Sequence, residues 1–220
     1  MAKTRSYKLL CPIARALDAI GDRWTLLILR DLLAGPARFT DLQTGLSGIA
    51  ANLLTDRLAK LTSDGLVTKS DGQHGAALYA LTDSGKRTRN ILFELALFGG
   101  GMPPPEAQVK PGNLRTVATT LGAAAARVTL LTDDFVAELR VDGEQITMRV
   151  EDGTPTVLYA AARDPDVVFE TSYEALLQVS EGEISLQDFT TNHSRLQTYT
   201  LEKDQSFMAV MQQIMSQFNA

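Results

Sequence analysis

The first third of the chain reads as a series of short apolar helices separated by glycine and proline. Pro12 suits the first position of a helix, and Gly21 ends the apolar pattern that follows it. Residues 24–33 form the most apolar helical pattern of the chain and predict the centre of a first core. Gly35 and Pro36 stop this helix.

Two closely spaced helices are predicted next. Thr40 followed by Gln43 matches a capping box, which places Thr40 at the start of a helix reaching about Thr44. A turn at 45–48 leads to a helix at 49–63. The apolar side chains of this helix share one face: Leu54, Leu58 and Leu61. The outward residues near its start are mostly small or polar: Ala50, Ala51, Asn52, Thr55 and Asp56.

A hairpin and one more helix complete this half. Residues 66–69 and 77–81 have the composition of strands, and the polar, glycine-rich segment between them predicts a tight connection. Thr82 and Asp83 then cap a helix. This order predicts an all-α winged helix-turn-helix domain with a small β-hairpin wing, a fold that places one helix in the major groove of duplex DNA.

The last helix of this domain suggests a homodimer. A single winged helix reads few base pairs, so two copies on adjacent half-sites are expected. The helix also carries more apolar surface than a peripheral helix hides by itself. Three of its residues are the candidate dimer contacts: Leu92, Phe93 and Leu95.

A linker is predicted in the middle of the chain. Residues 99–112 read GGGMPPPEAQVKPG, and glycine and proline at this density favour an extended connection. It separates a first domain at 1–98 from a second at 113–220. An ordered strap between the domains is the alternative.

The second domain is predicted to be α+β. Strands at 135–141 and 144–150 are joined by Asp142 and Gly143, a strong signal for a two-residue hairpin. The main remaining elements are a helix at 113–126, strands at 156–162, 167–169 and 196–201, and an amphipathic helix at 204–218. Strands followed by helices are typical of the α+β class.

Composition removes several classes of function. No apolar run approaches the ~20 residues of a membrane helix, so no membrane partner is expected. The single cysteine excludes an intrachain disulfide and fits a reducing cytoplasm, the predicted location. The sequence lacks zinc-spaced Cys and His clusters, phosphate-cradling glycine loops and GxSxG. Neither an enzyme nor a cofactor or metal site is therefore predicted.

The charge is distributed unevenly. Residues 1–98 carry 13 Lys and Arg against 9 Asp and Glu, whereas residues 99–220 carry 8 against 17. The basic half can approach phosphate, and the acidic half should be repelled by it. Ordinary scatter of charge between small domains is the alternative.

Arg57 is the predicted principal DNA contact, through a phosphate or through guanine O6 and N7. A salt bridge to Asp56 or to another helix acid is the alternative for Arg57. Lys60 is expected to contact phosphate. Base edges are expected to meet the small and polar outward residues of the same helix: Ala50, Ala51, Asn52 and Thr55.

Further DNA contacts are predicted outside this helix. Arg38 and Thr40 lie at the start of the preceding helix, where free N–H groups and a basic side chain hold phosphate. Lys69 and His74 are candidate wing contacts. A solvated wing tip is the alternative for these two.

Cys11 precedes Pro12 at a helix start, where free N–H groups and the helix dipole stabilise a thiolate. This makes Cys11 a candidate redox site. A small buried apolar residue is the alternative.

Four motifs follow one another in the first half: CPIARALDAIGDRWTLLILRDLLAG, RFTDLQ, LTDRLAKL with GLV after it, and YALTDSG. In these motifs residues 8–90 resemble the HxlR family of bacterial winged-helix regulators, relatives of the MarR group. The resemblance implies a transcription regulator and a cysteine position that can sense oxidants or electrophiles. The wing departs from the family, whose turn is usually longer and contains proline, where this chain has DGQHGAA.

The second half is similar to sterol-carrier-protein-type domains in its meander ELRVDGEQITMRVEDG and in the segment DPDVVFETSYEALLQVSEGEISLQDF. It departs from them at Lys203, where a glycine is common. The resemblance implies an apolar tunnel, and such domains occur fused to HxlR-type regulators. The candidate pocket residues are Phe135, Leu139, Met148, Leu158, Phe207 and Met211.

Together these patterns predict a cytoplasmic, dimeric, sequence-specific transcription regulator. Its second domain is expected to bind a small apolar ligand or to mediate assembly. Two alternatives stay open: a thiol-sensing regulator that uses Cys11, and a lipid-carrier-type protein with a vestigial DNA-binding domain.

Overall fold

The computed structural model describes residues 6–72, 76–102, 113–129, 133–180 and 182–218. The chain divides into two compact units, Met1–Ala96 and Leu97–Ala220. The predicted linker at 99–112 stays a prediction: a helix includes Gly99 and Gly100, and residues 103–112 lie outside the described part.

The first unit has the winged helix-turn-helix order that the sequence predicts. Its elements are α1 (Pro12–Ile20), α2 (Thr25–Leu33), β1 (Ala37–Arg38), α3 (Phe39–Gly45), α4 (Ala51–Ser63), β2 (Val67–Asp71), β3 (Ala77–Leu81), α5 (Asp83–Lys86) and α6 (Arg89–Gly100), which runs past the unit boundary. The three strands form an antiparallel sheet in the order β1-β3-β2. Pro12 and Gly21 begin and end α1 as predicted.

The core of the first unit forms where the helical patterns of α2 and α4 converge. The fully buried apolar residues of α2 are Ile28 and Leu29, and those of α4 are Leu54, Leu58 and Leu61. Burial of one such side chain contributes about 1.5–3 kcal/mol. The apolar face predicted for α4 is confirmed, and α4 is therefore held by one side with its other side exposed.

The start of α3 differs from its prediction. The helix begins at Phe39 with Arg38 as its N-cap, so Thr40 lies within the first turn. The backbone N–H of Arg38 donates to Oδ2 of Asp41 over 2.9 Å. Arg38 is also paired with Leu78 in the sheet, so the chain passes from β1 directly into α3. The long-range pairing fixes the helix start two residues earlier than the Thr40 pattern indicates.

The helix predicted after Thr82 is two helices. Thr82 caps the short α5, its Oγ1 accepting a hydrogen bond from the N–H of Gly85 over 3.1 Å. Thr88 then closes the chain back onto Gly85, donating both its N–H and its Oγ1–H to the carbonyl of Gly85. A Cβ on Gly85 would lie 2.1 Å from the carbonyl oxygen of Leu66, the residue before β2, so this close approach of α5 requires glycine.

The second unit is α+β, as predicted. Its elements are α7 (Leu114–Ala125), β4 (Phe135–Val141), β5 (Glu144–Glu151), β6 (Thr154–Leu158), β7 (Val167–Thr171), α8 (Tyr173–Ser180), α9 (Leu186–Asn192), β8 (Ser194–Thr198) and α10 (Lys203–Ser216). The sheet order is β6-β5-β4-β7-β8, and only the β4–β7 pair is parallel. The predicted hairpin at Asp142 and Gly143 is confirmed, with φ values of 49° and 85°.

One face of this sheet is apolar and is covered by α7 and α10. Phe135 and Phe169 point to α10, where their ring centroids lie 6.2 Å and 6.1 Å from that of Phe207. Across the sheet, Val157 meets α7 at Gly122. Aromatic rings at these separations contact each other directly.

The opposite face carries a network of charged side chains. Arg140 places its Nε 2.6 Å from Oε1 of Glu138 and its Nη1 3.1 Å from Oε1 of Glu170. The second oxygen of the buried Glu138 accepts the N–H of Ala162. Both oxygens of Glu138 are therefore satisfied, which its burial requires.

Candidate nucleic-acid interface

The turn between α3 and α4 is anchored by the core of the first unit. Leu46 and Ile49 are buried, and the N–H of Ile49 donates to the carbonyl of Leu46. Gly48 between them has a φ of +96°, a conformation that favours glycine. The turn therefore presents the start of α4 in a defined position.

The exposed start of α4 brings together the base-contact residues predicted from the sequence: Ala50, Ala51, Asn52 and Thr55. The hydroxyl of Thr55 donates to the carbonyl of Ala51 over 2.9 Å. Asp56, on the same exposed surface, adds a carboxylate. The side chains on this surface are short, so a partner can approach the helix backbone closely. The surface carries almost no positive charge.

The two cations of α4 are both paired within the chain. Nη2 of Arg57 lies 2.7 Å from Oδ2 of Asp22, which belongs to the loop between α1 and α2. Oδ1 of the same aspartate accepts the N–H of Trp24. Nζ of Lys60 lies 2.5 Å from Oδ2 of Asp64, the C-cap residue of α4. Arg57 thus joins α4 to the α1–α2 loop, and its partner is neither Asp56 nor another residue of α4.

Arg38, Thr40 and Lys69 are exposed. Arg38 lies where β1 meets α3, and Lys69 lies on β2 with its Nζ 6.0 Å from the ring centroid of Tyr79. This is a distance at which a cation and an aromatic face attract each other. His74, the other candidate wing residue, lies outside the described part of the chain.

The structure places Cys11 at the N-cap of α1, with its thiol exposed. The carbonyl of Cys11 accepts the N–H of Arg15 over 3.1 Å, which is the first hydrogen bond of the helix. The interpretation of Cys11 as a buried packing residue is therefore wrong.

The candidate dimer residues are divided between interior and surface. Phe93 is buried, and Leu92 packs against the core of the first unit. Leu95 is 44% exposed. Two exposed apolar residues of α1 were not predicted, because the periodic pattern of α1 resembles that of a core helix: Ile13 and Leu17.

Most of the candidate pocket residues lie in the interior of the second unit: Phe135, Leu139, Met148 and Phe207 are buried, and Met211 is half-buried. Leu158 is an exception, at 45% exposure. It pairs with Thr147, whereas its neighbour Val157 pairs with the buried Met148. Adjacent strand residues point to opposite faces, so the placement of Leu158 in the pocket is wrong.

Two features of other protein classes are not found in the described residues. These residues contain no group of three or more His, Cys, Asp or Glu side chains arranged to hold a metal ion. Of the helices formed by them, none is long and apolar enough to cross a bilayer.

Comparison with known proteins identifies the family of the first unit. The family of HxlR-like helix-turn-helix proteins matches residues 19–106. YvaP of Bacillus subtilis (strain 168), an uncharacterised HTH-type transcriptional regulator, is 32% identical over 90 residues, which are 40% of this chain and 83% of YvaP. An uncharacterised HTH-type transcriptional regulator of Methanothermobacter thermautotrophicus (strain Delta H) is 32% identical over 92 residues, which are 41% of this chain and 70% of that protein.

Among solved structures, the candidate transcription factor PA1607 is 36% identical, with a TM-score of 0.42, over 47% of this chain and 74% of PA1607. The identity to YvaP and the share of YvaP that is covered establish the relationship. The chain therefore belongs to the HxlR-like helix-turn-helix family of DNA-binding transcription regulators.

Proposed function

We propose that this regulator recognises a specific duplex sequence by placing α4 in the major groove, with the β2–β3 hairpin beside the neighbouring phosphates. The observation that carries the proposal is the exposed start of α4, on a helix whose opposite face is buried in the core. A helix held in this way can enter a groove without losing its own packing. The net positive charge of residues 1–98 supports the approach of this unit to DNA.

Phosphate contacts are assigned to the exposed cations around α4. Arg38 and Lys69 are both exposed and lie on the two elements that flank the helix-turn-helix, β1 and β2. Arg57 and Lys60 already have carboxylate partners. We therefore assign Arg57 a positioning role on α4, and we keep Lys60 and Thr40 as secondary phosphate contacts.

The proposed active form is a homodimer on two half-sites about one helical turn apart. Exposed apolar side chains on α1 and α6 support it, because Ile13, Leu17 and Leu95 would be removed from water in the dimer. A DNA-binding regulator of this family meets its target in the cytoplasm, where we place this protein.

The test measures, by fluorescence anisotropy, how the affinity of the full chain for the promoter region of its own gene depends on salt concentration. Removal of one phosphate contact should flatten the slope of log affinity against log salt by about 0.9. In the proposed homodimer each substitution removes one contact per protomer, so Arg38→Ala and Lys69→Ala should each flatten the slope by about 1.8, and the double variant by about 3.6. Arg195→Ala, which removes an exposed cation from the second unit, is the matched control and should leave the slope unchanged.

Two outcomes would contradict the proposal. An unchanged slope in the double variant would remove Arg38 and Lys69 from the interface. If wild type binds no duplex at low salt, the helix-turn-helix is vestigial, and a carrier function of the second unit becomes the better explanation.

For the second unit we propose a sterol-carrier-like domain that holds a small apolar ligand between the sheet and α10. Buried apolar residues on both sides of this layer support the proposal, among them Phe135, Met148 and Phe207. Mass spectrometry of the purified chain should find a co-purified apolar molecule. If none is found and Phe207→Ala leaves DNA binding intact, an assembly role remains for this unit.

Thiol sensing through Cys11 is a second candidate function, favoured by the exposure of the only cysteine in the chain. Oxidation would join two Cys11 thiols of different chains, or one Cys11 and a small thiol, in a disulfide, with the oxidant taking up two electrons. Wild type should lose DNA affinity on treatment with diamide, and Cys11→Ser should not. Equal behaviour of the two proteins would eliminate this input.

A further inference from the structure

The side chains on the exposed start of α4 limit which base pairs this helix can read. Arginine and lysine are the usual partners of guanine O6 and N7. Within α4, all of which the structure describes, the cations are Arg57 and Lys60, and each has a carboxylate partner at 2.5–2.7 Å. The start of the helix therefore lacks an unpaired side chain of the type that reads guanine.

The arrangement around Arg57 directs its guanidinium away from the exposed start of the helix. Its Nη2 is bound to Asp22, in the loop before α2, and that carboxylate is fixed in turn by the N–H of Trp24. Nε of Arg57 is buried. A guanine contact by Arg57 would require the pair with Asp22 to be released.

The side chains that remain have a different chemistry. Asn52 is exposed and offers one amide donor and one acceptor, the pair of groups that adenine N7 and N6 require. The hydroxyl of Thr55 is used by the carbonyl of Ala51, so the side chain offers its methyl group to an outside partner. Ala51 adds a second methyl on the same surface. Such methyl groups contact the C5-methyl of thymine.

Asp56 acts against guanine at the base that it faces. Its carboxylate is exposed beside Thr55 and accepts hydrogen bonds only. It would be repelled by the two acceptors of guanine, whereas the amino group of adenine or cytosine can donate to it. Asn52 and Thr55 are three residues apart, a rise of about 4.5 Å. This is close to the spacing of about 3.4 Å between base pairs, so they address neighbouring pairs.

We propose that α4 reads adenine and thymine: Asn52 binds an adenine through N6 and N7, and the methyl groups of Ala51 and Thr55 contact the thymine methyl of an adjacent A·T pair. The operator half-site of this regulator therefore contains an A·T step at the position of α4. The inference rests on the proposed function, since it requires α4 to lie in the major groove.

The experiment starts with selection of duplexes from a randomised library by the full-length wild-type chain and by Asn52→Ala. Positions whose base preference differs between the two proteins define the contact of Asn52, and adenine is expected there for wild type. Asn52→Ala should bind each half-site about 5- to 150-fold more weakly, the range for one bidentate contact, and the effect should be larger on the full two-half-site operator. Ser63→Ala, at the exposed far end of the same helix, is the control and should select the wild-type site.

Base analogues then test the individual atoms. Replacement of the adenine by 7-deazaadenine removes the N7 acceptor and should weaken wild type about 2- to 10-fold, without effect on Asn52→Ala. Replacement of thymine by uracil removes only the methyl group. Wild type should bind the uracil site more weakly, and Thr55→Ser, which keeps the hydroxyl and loses the methyl, should show a smaller difference between the two sites.

Two results would overturn the inference and leave DNA binding intact: guanine selected at the Asn52-dependent position, or equal sensitivity of wild type and variants to both analogues. If wild type binds no duplex at any salt concentration, the proposed function fails first. The salt series and the base analogues therefore distinguish the two failures.

Discussion

The ion pair between Arg57 and Asp22 connects α4 to the loop before α2, and its removal separates a positioning role of Arg57 from a direct contact with DNA. Their side chains are 28% and 34% exposed, so the pair is partly screened by solvent. Exposed pairs contribute about 0.2–1 kcal/mol, and hydrogen bonds to charged groups about 1.5–3 kcal/mol. The 2.7 Å geometry favours a coupling of about 1 kcal/mol, whereas the buried Nε of Arg57 has no hydrogen-bond partner among the described residues and adds nothing to it.

The perturbation is a double-mutant cycle of Asp22→Asn, Arg57→Ala and the combined variant. Asp22→Asn keeps an oxygen that can accept the N–H of Trp24, and it removes both the charge and the acceptor that Nη2 of Arg57 uses. Each single variant should lower the free energy of unfolding of the first unit by about 1–2 kcal/mol. The combined variant should lose about 1 kcal/mol less unfolding free energy than the sum of the two single losses. The reason is that the first substitution has already broken the ion pair, so the second cannot break it again.

Tryptophan fluorescence during urea unfolding measures the unfolding free energy of the first unit. Trp24 is the only tryptophan of the chain and lies two residues after Asp22. A loss of 1 kcal/mol should lower the urea midpoint by roughly 0.3–1 M. The same proteins are then compared for DNA affinity. If Arg57 acts by positioning α4, Asp22→Asn weakens binding as Arg57→Ala does, and the combined variant is no weaker than either.

Two results would refute this reasoning. Additive losses of unfolding free energy, within about 0.3–0.5 kcal/mol, would mean that the pair does not couple in solution. A loss of DNA affinity in Arg57→Ala of about 1–3 kcal/mol, with none in Asp22→Asn, would assign Arg57 to a direct base contact instead.

Two other positions give sharp expectations for stability. Gly85→Ala brings a methyl group onto the carbonyl of Leu66 and should lower the free energy of unfolding in urea by more than about 1 kcal/mol. Gly100→Ala, with open space around it, is the control and should be neutral or stabilising. Equal effects of the two substitutions would mean that the backbone around Gly85 relaxes to accommodate the methyl group. Phe207→Ala in the interior of the second unit should cost about 3–5 kcal/mol, measured by calorimetry. Leu158→Ala on the opposite face should cost less than about 0.5 kcal/mol, and a similar cost for both would contradict the assignment of the two faces.

Patterns that depend on neighbouring residues were predictable from the sequence. The spacing of Leu54, Leu58 and Leu61 marks the buried face of α4, because a helical period determines which residues lie on one side whatever packs there. Asp142 and Gly143 tolerate the positive φ of a tight hairpin, so that turn is encoded in two residues. The same local signals predicted the exposed small residues at the start of α4.

Features that depend on distant residues were not predictable in this way. The strand β1 has two residues and exists because Arg38 pairs with Leu78, 40 positions later in the chain. This pairing also moves the start of α3 away from Thr40. The partner of Arg57 is 35 residues earlier in the chain, and no local spacing indicates Asp22 rather than Asp56.

The sequence by itself determined the periodic elements and the residues at the outward start of α4, because these follow from short-range steric and hydrophobic rules. Only the tertiary structure decided which cations are already paired and which apolar residues stay exposed. Val157 and Leu158 are both apolar, yet the register against β5 buries one and exposes the other. A shift of one residue in register would exchange them, since successive strand residues face opposite sides of a sheet.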